Sequence, residues 1–344
     1  MNQLSNGVTD KGMKASLVVP VRNEADSIEQ LILSAAAQTR RPDEVIIVDG
    51  GSRDGTPEIV ERWAQQHSLT DWVRVVRVTE ATPGKGRNLG VEAAKYDWIA
   101  FTDAGIRLEP MWLERLVEVA ERDDQVDVVY GNYEPVTGTF FERCAALAYV
   151  APRRMRAGEL IRAPFIASSL FRRGVWEAVG GFPDLRAAED LIFMENVRHR
   201  GYNIGWAPRA TIWWRMQPTF AGTFRRFALY SRHNVRIGRQ YDWHYGIARQ
   251  YVAWIACAML ALVWSRWLWL LPLIGYGVRV GKSIWVKREG RGPLWALNPV
   301  QFGVVTAILL TIDTATFVGW WNAIWERRGQ HTDGHEDLVQ YRER

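Results

Sequence analysis

The first third of the chain alternates short β-rich apolar runs with amphipathic stretches. Between Ala15 and Gly131, amphipathic segments of helical periodicity separate five such runs, which read SLVVPV, EVIIVD, VRVVRV, DWIAFTD and DVVYGN. This alternation is typical of a parallel sheet covered by helices. In such sheets the loops that carry chemistry lie at the carboxyl ends of the strands. The sequence therefore predicts an α/β domain whose site is formed by the residues that follow its strands.

Composition and charge narrow the class of protein. With 344 residues and 48% hydrophobic content, the chain can build one large domain or two ordinary ones, which excludes disordered and collagen-like proteins. Its two cysteines, Cys144 and Cys257, are too few for a disulfide framework or a zinc site, and this favours a cytosolic or cytosol-facing protein. The net charge of +5 and the many arginines after Arg153 indicate an anionic partner. Phosphate head groups, a nucleotide diphosphate and nucleic acid all fit, and a solvated basic face is the alternative.

The composition changes abruptly after Tyr251. Two apolar stretches are interrupted at Ser265 and Arg266, and a third runs from Val300 to Trp325. The first stretch would cover about 21 Å as a helix, less than the ~30 Å of a hydrocarbon core, whereas the third reaches about 39 Å. Thirteen of the 18 tryptophans lie at or after Trp206, and tryptophan favours membrane interfaces. We predict a short membrane hairpin over about 251–281 and a full span over about 300–325. A soluble helical subdomain is the alternative.

Charges near these stretches predict their orientation. The region from Arg279 to Arg291, expected to be a loop, holds five basic residues, which favours a cytosolic position. No apolar run precedes Lys14, so we expect no signal peptide and a first domain that stays on the side where it is made. The predicted location is the inner (plasma) membrane, with the first domain facing the cytoplasm. Asp313, inside the third stretch, is expected to pair with Arg266 or another helix partner.

Three acidic features follow a predicted strand or open a predicted helix. Asp49 ends EVIIVD before a glycine-rich turn, Asp103 ends WIAFTD, and Glu189 with Asp190 opens the amphipathic segment EDLIFMENV. Each alone is explained by a turn, a helix cap or a first-turn acid. Together they offer one carboxylate to hold a divalent ion on a diphosphate and another to remove the proton of an acceptor hydroxyl.

Five ordered motifs over residues 14–240 resemble the family 2 glycosyltransferases. They are LVVPVRNEADSIEQLILSAAAQT, EVIIVDGGSRDGT, GKGRNLGVEAA, WIAFTDAG and GGFPDLRAAEDLIF. The resemblance implies a GT-A fold, a Rossmann-like nucleotide-diphospho-sugar transferase domain, followed here by C-terminal membrane helices. The predicted divisions are a flexible N-terminus (1–13), a donor half (14–131), an acceptor half (132–240), membrane-associated helices (241–326) and a polar tail (327–344).

The resemblance also implies roles for particular residues. Asp103 would bind Mg²⁺ or Mn²⁺ together with the diphosphate, and Asp190 would be the general base, with Glu189 next in line. Residues that would bind the donor are Pro20, Arg22, Glu24, Asp49, Arg87, Asp103 and Gly105. Gly105 stands where the family's Asp-x-Asp motif has its second aspartate, so the metal would have one carboxylate fewer than usual.

The region after the acidic pair differs from processive polymer synthases. Their Gln-x-x-Arg-Trp motif is absent, since Gln217 is followed by Pro218, and this disfavours processive polymerisation. Three cations on the next predicted helix, Arg225, Arg226 and Arg232, are candidate contacts for the leaving diphosphate. A helix that faces solvent or lipid head groups is the alternative.

The sequence thus predicts an inverting enzyme that uses a nucleotide diphosphate sugar, with UDP-sugar favoured by the resemblance. Its other expected partners are a sugar or polyprenyl-linked acceptor and membrane lipids, and no nucleic acid. A dinucleotide-binding oxidoreductase and a P-loop enzyme are disfavoured, because neither glycine-rich run has the required spacing. A non-catalytic membrane scaffold that keeps the fold is the remaining alternative, and Gly105 would then mark the loss of metal binding.

Overall fold

A computed structural model describes residues 12–156 and 158–330. The described residues divide into two compact units. The first contains residues up to Glu134 together with Met155–Leu185 and Glu189–Trp214, and the second contains Pro135–Arg154, Arg186–Ala188 and the residues from Arg215 onward. Part of the predicted acceptor half therefore belongs to the second unit, and the boundary at residue 240 stays a prediction. Most of the predicted flexible N-terminus and most of the polar tail lie outside the described residues.

An eight-stranded mixed sheet forms the core of the first unit, in the order β3-β2-β1-β4-β9-β6-β10-β5. The strands are β1 (Ala15–Val21), β2 (Glu44–Asp49), β3 (Val73–Arg77), β4 (Trp98–Phe101), β5 (Ile106–Leu108), β6 (Val128–Val136), β9 (Ser169–Arg172) and β10 (Ile204–Arg215), while β7 (Arg154–Arg156) and β8 (Glu159–Ile161) pair separately. Strands β1 to β4 are parallel, and β9 pairs antiparallel with β4 and β6. The predicted parallel α/β sheet is thus confirmed for its first four strands.

Helices cover the sheet because β1, β2 and β4 are almost entirely buried and need apolar cover on both faces. These helices are α1 (Ile28–Ala36), α2 (Thr56–Gln66), α3 (Pro83–Ala93), α4 (Trp112–Arg122), α6 (Arg173–Val179) and α7 (Glu189–His199). Within the first unit, Val18, Ile46 and Phe101 pack in one apolar cluster with Phe171 and Phe193. The parallel register sets Val21 of β1 beside Asp49 of β2. The residues that follow β1, β2 and β4 therefore meet at one edge of the sheet.

Glycines bring α3 unusually close to its neighbours. A Cβ atom on Gly90 would lie 2.3 Å from Val18 Cγ1, and one on Gly84 would lie 2.0 Å from the carbonyl oxygen of Pro183. Both distances are far inside van der Waals contact, so only glycine fits at these two positions. The glycines of GKGRNLG thus seat α3 against the sheet and against the loop before α7.

The second unit is helical. Its elements are α5 (Phe140–Tyr149), α8 (Phe220–Arg236), α9 (Gln240–Val263), a 3₁₀ turn (Arg266–Trp269), α10 (Leu270–Val286), α11 (Pro293–Ala296) and α12 (Pro299–Gln330). Helix α8 packs on α12, where Ser231 Oγ donates to the carbonyl oxygen of Thr316 (2.6 Å). The rings of Trp254 in α9 and Tyr276 in α10 pack against each other at an angle of 58°, with their centroids 5.5 Å apart. Helices α9 and α10 therefore form an antiparallel pair joined by the short turn at Trp264 and Ser265.

Two helices in this unit are long and apolar enough to cross a membrane, Trp243–Val263 and Pro299–Glu326. The first has 21 residues and is about 31 Å long, because α9 begins upstream of the apolar stretch. Only 6% of its most apolar window is buried, against 44% for the second helix. An apolar helix that is so exposed needs lipid or another apolar partner.

Asp313, on α12, pairs with a different arginine from the one named in the sequence prediction. Arg279 of α10 donates from Nη1 and Nη2 to its two oxygens at 2.6 and 2.7 Å, and Tyr251 of α9 donates at 2.8 Å. Arg279 and Lys282 lie inside α10, so the predicted basic loop is shorter and begins after Val286. A carboxylate 1% exposed among apolar helices requires such partners, and these bonds tie three helices together.

Candidate active site

The loops after β1 and β2 are bound to each other at the edge of the sheet. Glu24 N–H donates to Thr56 Oγ1 (2.9 Å), and Arg53 N–H donates to Asn23 Oδ1 (2.9 Å). Asn23 adopts φ = 57°, a left-handed conformation that asparagine tolerates better than most residues. These bonds hold together the loop after β1, which contains the predicted nucleotide contacts Arg22 and Glu24, and the loop after Asp49. The sequence prediction did not include Asn23 or Thr56.

Four of the predicted donor-binding residues lie around these loops. Asp49 ends β2, is buried, and accepts from Ser52 N–H at 3.2 Å. Pro20 is in β1, one residue before the position beside Asp49, and Arg22, just beyond the strand, has its Nη1 atom 3.5 Å from Glu80 Oε1. Ser27 Oγ donates to Glu24 Oε2 at 2.5 Å and so orients that carboxylate. The roles of these residues in nucleotide binding remain predictions.

Gly105 and Glu24 face each other across the edge of the sheet. Gly105 has φ = +77°, which favours glycine, and a Cβ atom placed there would lie 3.8 Å from Glu24 Oε2. A carboxylate is therefore close to the position that an aspartate occupies in the Asp-x-Asp motif, but it is contributed by another loop.

Arg87 joins the predicted metal-binding carboxylate, Asp103, to the predicted catalytic pair. Its Nη2 donates to Asp103 Oδ1 at 2.6 Å, and its Nη1 donates to Glu189 Oε1 at 2.7 Å. Arg87 is 3% exposed and Glu189 5%, whereas the Asp103 side chain remains one-third exposed. The guanidinium faces two carboxylates rather than the open edge of the sheet. The nucleotide contact implied for Arg87 by the resemblance stays a prediction.

Burial, together with the charges around it, sets the pKa of Asp190. Burial raises the pKa of Asp190 above the usual range of an aspartate, Arg87 opposes this shift, and Asp103 adds to it. Burial also raises the pKa of Glu189, against the effect of Arg87. For Arg87 itself burial acts to lower the pKa, but the three carboxylates outweigh burial and raise it, so it remains charged. A carboxylate with a raised pKa is a better proton acceptor at neutral pH than an ordinary one.

Asn88, next to Arg87, holds the loop that leads to the acidic pair. Its Nδ2 donates to the carbonyl oxygen of Phe182 (2.8 Å), and its Oδ1 accepts from Phe182 N–H (2.8 Å) and Trp176 Nε1 (2.9 Å). One side chain thus satisfies both backbone polar groups of Phe182 and the indole N–H of Trp176 on α6. The Arg-Asn pair in the sequence was the available signal, but it was interpreted only through its arginine.

The residue before the acidic pair is conformationally strained. Ala188 has φ = 68°, a left-handed value that costs a residue with a Cβ atom about 1 kcal/mol or more. Glu189 begins α7 directly after it, and Leu191 N–H donates to Asp190 Oδ1 at 2.8 Å. The chain therefore enters α7 in a conformation that its own sequence does not favour, which is common at functional sites.

The three predicted diphosphate contacts lie on α8 of the second unit. Arg232 Nε donates to Glu326 Oε2 of α12 at 3.0 Å, so this arginine has a partner within its own unit. Arg225 is exposed and Arg226 is half-buried. A contact of any of them with a diphosphate stays a prediction.

The residues present fit a divalent ion only if the substrate supplies most of its ligands. Over the described ranges, no group of three or more carboxylate, histidine or cysteine side chains is arranged to hold a metal. Asp103 has one oxygen bonded to Arg87, and Glu24 faces Gly105 nearby. Mg²⁺ is commonly bound by one or two carboxylates together with substrate phosphates and water. Asp103, with Glu24 as second candidate, meets that minimum.

Comparison with known proteins supports the fold and the family. Residues 16–175 match the model of glycosyl transferase family 2. Glycosyltransferase AglE of Haloferax volcanii is 30% identical over 203 residues, which cover 56% of this chain and 64% of AglE. Cholesterol galactosyltransferase of Borreliella burgdorferi is 27% identical over 120 residues, 35% of this chain and 32% of that protein. The matched stretches thus cover less than two thirds of either relative.

A solved structure shows the same fold at low sequence identity. Mannosyltransferase PcManGT from Pyrobaculum calidifontis, in complex with GDP-Man and Mn²⁺, superposes with a TM-score of 0.53 over 92% of this chain and 89% of that chain, at 19% identity. Such identity supports the architecture alone. The family match and the relatives show that residues 16–175 of this chain resemble glycosyl transferase family 2, and the architecture is that of the GT-A fold.

Proposed function

We propose that this protein is an inverting glycosyltransferase that moves a sugar from a nucleotide diphosphate sugar to an acceptor hydroxyl at a membrane surface. The observation that carries the proposal is the Asp103–Arg87–Glu189 chain, which brings Asp190 within electrostatic range of Asp103. One carboxylate is thereby available on the donor side and another on the acceptor side. Single displacement with inversion requires this division of roles.

In the proposed reaction, Asp190 accepts the proton of the acceptor hydroxyl. The hydroxyl oxygen attacks the anomeric carbon, and the bond from that carbon to the diphosphate breaks as the diphosphate leaves with the electron pair. Asp103 would hold a divalent ion on the donor, and such an ion would neutralise charge on the diphosphate. Positioned general-base action contributes roughly 10²- to 10⁴-fold to rate.

A lipid-linked acceptor, a polyprenyl-linked one in particular, is supported by the second unit. Its helix α9 exposes apolar side chains over a length close to a hydrocarbon core. An enzyme held at the bilayer by such a helix would meet acceptors that lie in the membrane. The relative named for cholesterol glycosylation acts on a lipid, which agrees with this proposal. We further propose the cytoplasmic side of the inner membrane, from the basic residues Lys287, Arg288 and Arg291 after α10.

The donor is identified by ligand-induced stabilisation. Purified protein is heated with UDP-sugars and GDP-sugars, each with and without Mn²⁺, because a ligand that binds only the folded state raises the melting temperature. We expect one nucleotide sugar to stabilise the protein more when Mn²⁺ is present. Stabilisation by none of the donors would contradict the proposed function.

The base is tested by Asp190→Asn, with Asp71→Asn at an exposed position as the matched control. Asp190→Asn should reduce transfer at least 100-fold and leave donor stabilisation unchanged, while the control should behave as wild type. Retained transfer would show that the base lies elsewhere. If the wild type neither transfers sugar nor hydrolyses the donor, the alternative of a non-catalytic scaffold is favoured. The glycine at position 105, where the Asp-x-Asp motif has an aspartate, is the feature that suggests this alternative.

A further inference from the structure

Arg87 connects three elements that are far apart in the sequence. It stands on α3, while Asp103 follows β4 and Glu189 opens α7, 16 and 102 residues away. Its two terminal nitrogens each bond a different carboxylate at 2.6 and 2.7 Å. One buried side chain therefore joins the donor-side carboxylate to the helix that carries the base.

The position of Arg87 is itself fixed. Gly90 seats α3 against Val18, where a Cβ atom would be only 2.3 Å away from the valine methyl. The Phe182 ring lies 5.5 Å from the Arg87 guanidinium carbon and covers it on one side. An arginine held between a close-packed helix and an aromatic ring has little freedom to change rotamer. It can therefore transmit position from the sheet to α7.

The chemistry of the bridge requires a guanidinium. Its planar fork carries separate N–H groups that reach two acceptors at once, whereas a lysine ammonium is a single charged point. Arg87 is 3% exposed, so it acts through Asp103 and Glu189 rather than by touching the substrate.

We propose that Arg87 is a positioning residue that holds Asp103 and the Glu189–Asp190 pair at a fixed separation, so that the base faces the anomeric carbon of a donor bound at Asp103. This inference rests on the proposed function, in which Asp190 is the base. A misplacement of about 1 Å between reacting groups can cost about 100-fold in rate, so a bridge of this kind has a large effect without taking part in the chemistry.

Arg87 also affects the protonation of the base. The charged groups that act on Asp190 are Arg87 from α3, Asp103 from the end of β4 and Glu189 beside it. Of these, only Arg87 favours the ionised form of Asp190. Loss of its charge therefore raises the pKa of Asp190 and moves the acid limb of the pH–rate profile to higher pH.

The test compares Arg87→Lys and Arg87→Met with wild type and with Arg122→Lys, an exposed arginine on α4 as matched control. Each protein is assayed with the nucleotide sugar selected by the donor screen, with water or a polyprenyl-linked sugar that carries a free hydroxyl as acceptor, over a range of pH. We expect Arg87→Lys to fold, to lose roughly 10- to 100-fold in kcat and to change donor KM less than about threefold. Its acid limb should stay in place. Arg87→Met should also move the acid limb to higher pH, because it removes the charge that favours ionised Asp190.

Several results would overturn the inference. Arg87→Lys with wild-type kcat would show that the bridge is dispensable. Failure of Arg87→Lys to fold would show that Arg87 holds the fold rather than the geometry of the site. A tenfold rise in donor KM with unchanged kcat would assign Arg87 to donor binding. Asp190→Asn in the same assay separates the two proposals. If Asp190→Asn keeps its activity, the proposed function is contradicted. If Asp190→Asn is inactive while Arg87→Lys is as active as wild type, only the positioning role of Arg87 is contradicted.

Discussion

Replacement of Asn88 by alanine should destabilise the first unit substantially. Asn88 makes three hydrogen bonds, two to the backbone of Phe182 and one to Trp176 Nε1, at 2.8 to 2.9 Å. Each such bond contributes about 1 kcal/mol net, and its loss leaves buried groups of Phe182 without partners, so the expected loss of unfolding free energy is about 3 kcal/mol. For a folding unit of the size of the first one, that corresponds to a melting temperature roughly 6 to 12 °C lower.

The assay is thermal unfolding of purified protein, with Gln66→Ala at an exposed position of α2 as control. The control should change the melting temperature by less than about 2 °C, because surface substitutions are usually within ±0.5 kcal/mol. Asn88→Asp should fall between the two, since it keeps the accepting oxygen but loses the donor to the Phe182 carbonyl. An Asn88→Ala protein as stable as the control would refute the idea that this side chain holds the loop before α7.

Other predictions follow from the same contacts. Gly90→Ala should lower the free energy of unfolding by about 1 to 3 kcal/mol, because its Cβ atom would collide with Val18. Gly174→Ala should raise it by about 0.5 to 1 kcal/mol, because the added atom meets nothing within 4 Å. Denaturant unfolding measures both changes and their opposite signs. Because burial raises the pKa of Asp190, kcat/KM should decline on acidification at a higher pH than the usual range of an aspartate near 4, and a profile from about pH 4 to about pH 8 that is flat would contradict this. Arg279→Gln, which leaves the carboxylate of its partner without a counter-charge, should lower the yield of folded protein by several-fold in detergent extraction, and Arg279→Lys should recover part of it.

Periodicity and motif order were sufficient to predict the α/β class and to place the candidate site residues at one edge of the sheet. Short buried strands separated by helical segments allow few other arrangements, and parallel strands bring their carboxyl ends together. Asp49, Asp103 and the residues after β1 could therefore be named from the sequence. The abrupt change of composition after Tyr251 likewise predicted apolar helices, because hydrophobicity is a property of the sequence itself.

The contacts between distant segments could not be obtained in this way. Arg87 donates a hydrogen bond to Glu189, 102 residues away, and Asn88 bonds the backbone of Phe182. Asp313 pairs with Arg279 and not with Arg266. Hydrogen bonds act over about 3 Å, and the sequence does not state which side chains the packing of helices on the sheet brings that close. The sequence by itself determined which residue types are available for chemistry and on which elements they stand. Only the tertiary structure decided that a buried arginine links them, because partner choice depends on distances that close packing fixes.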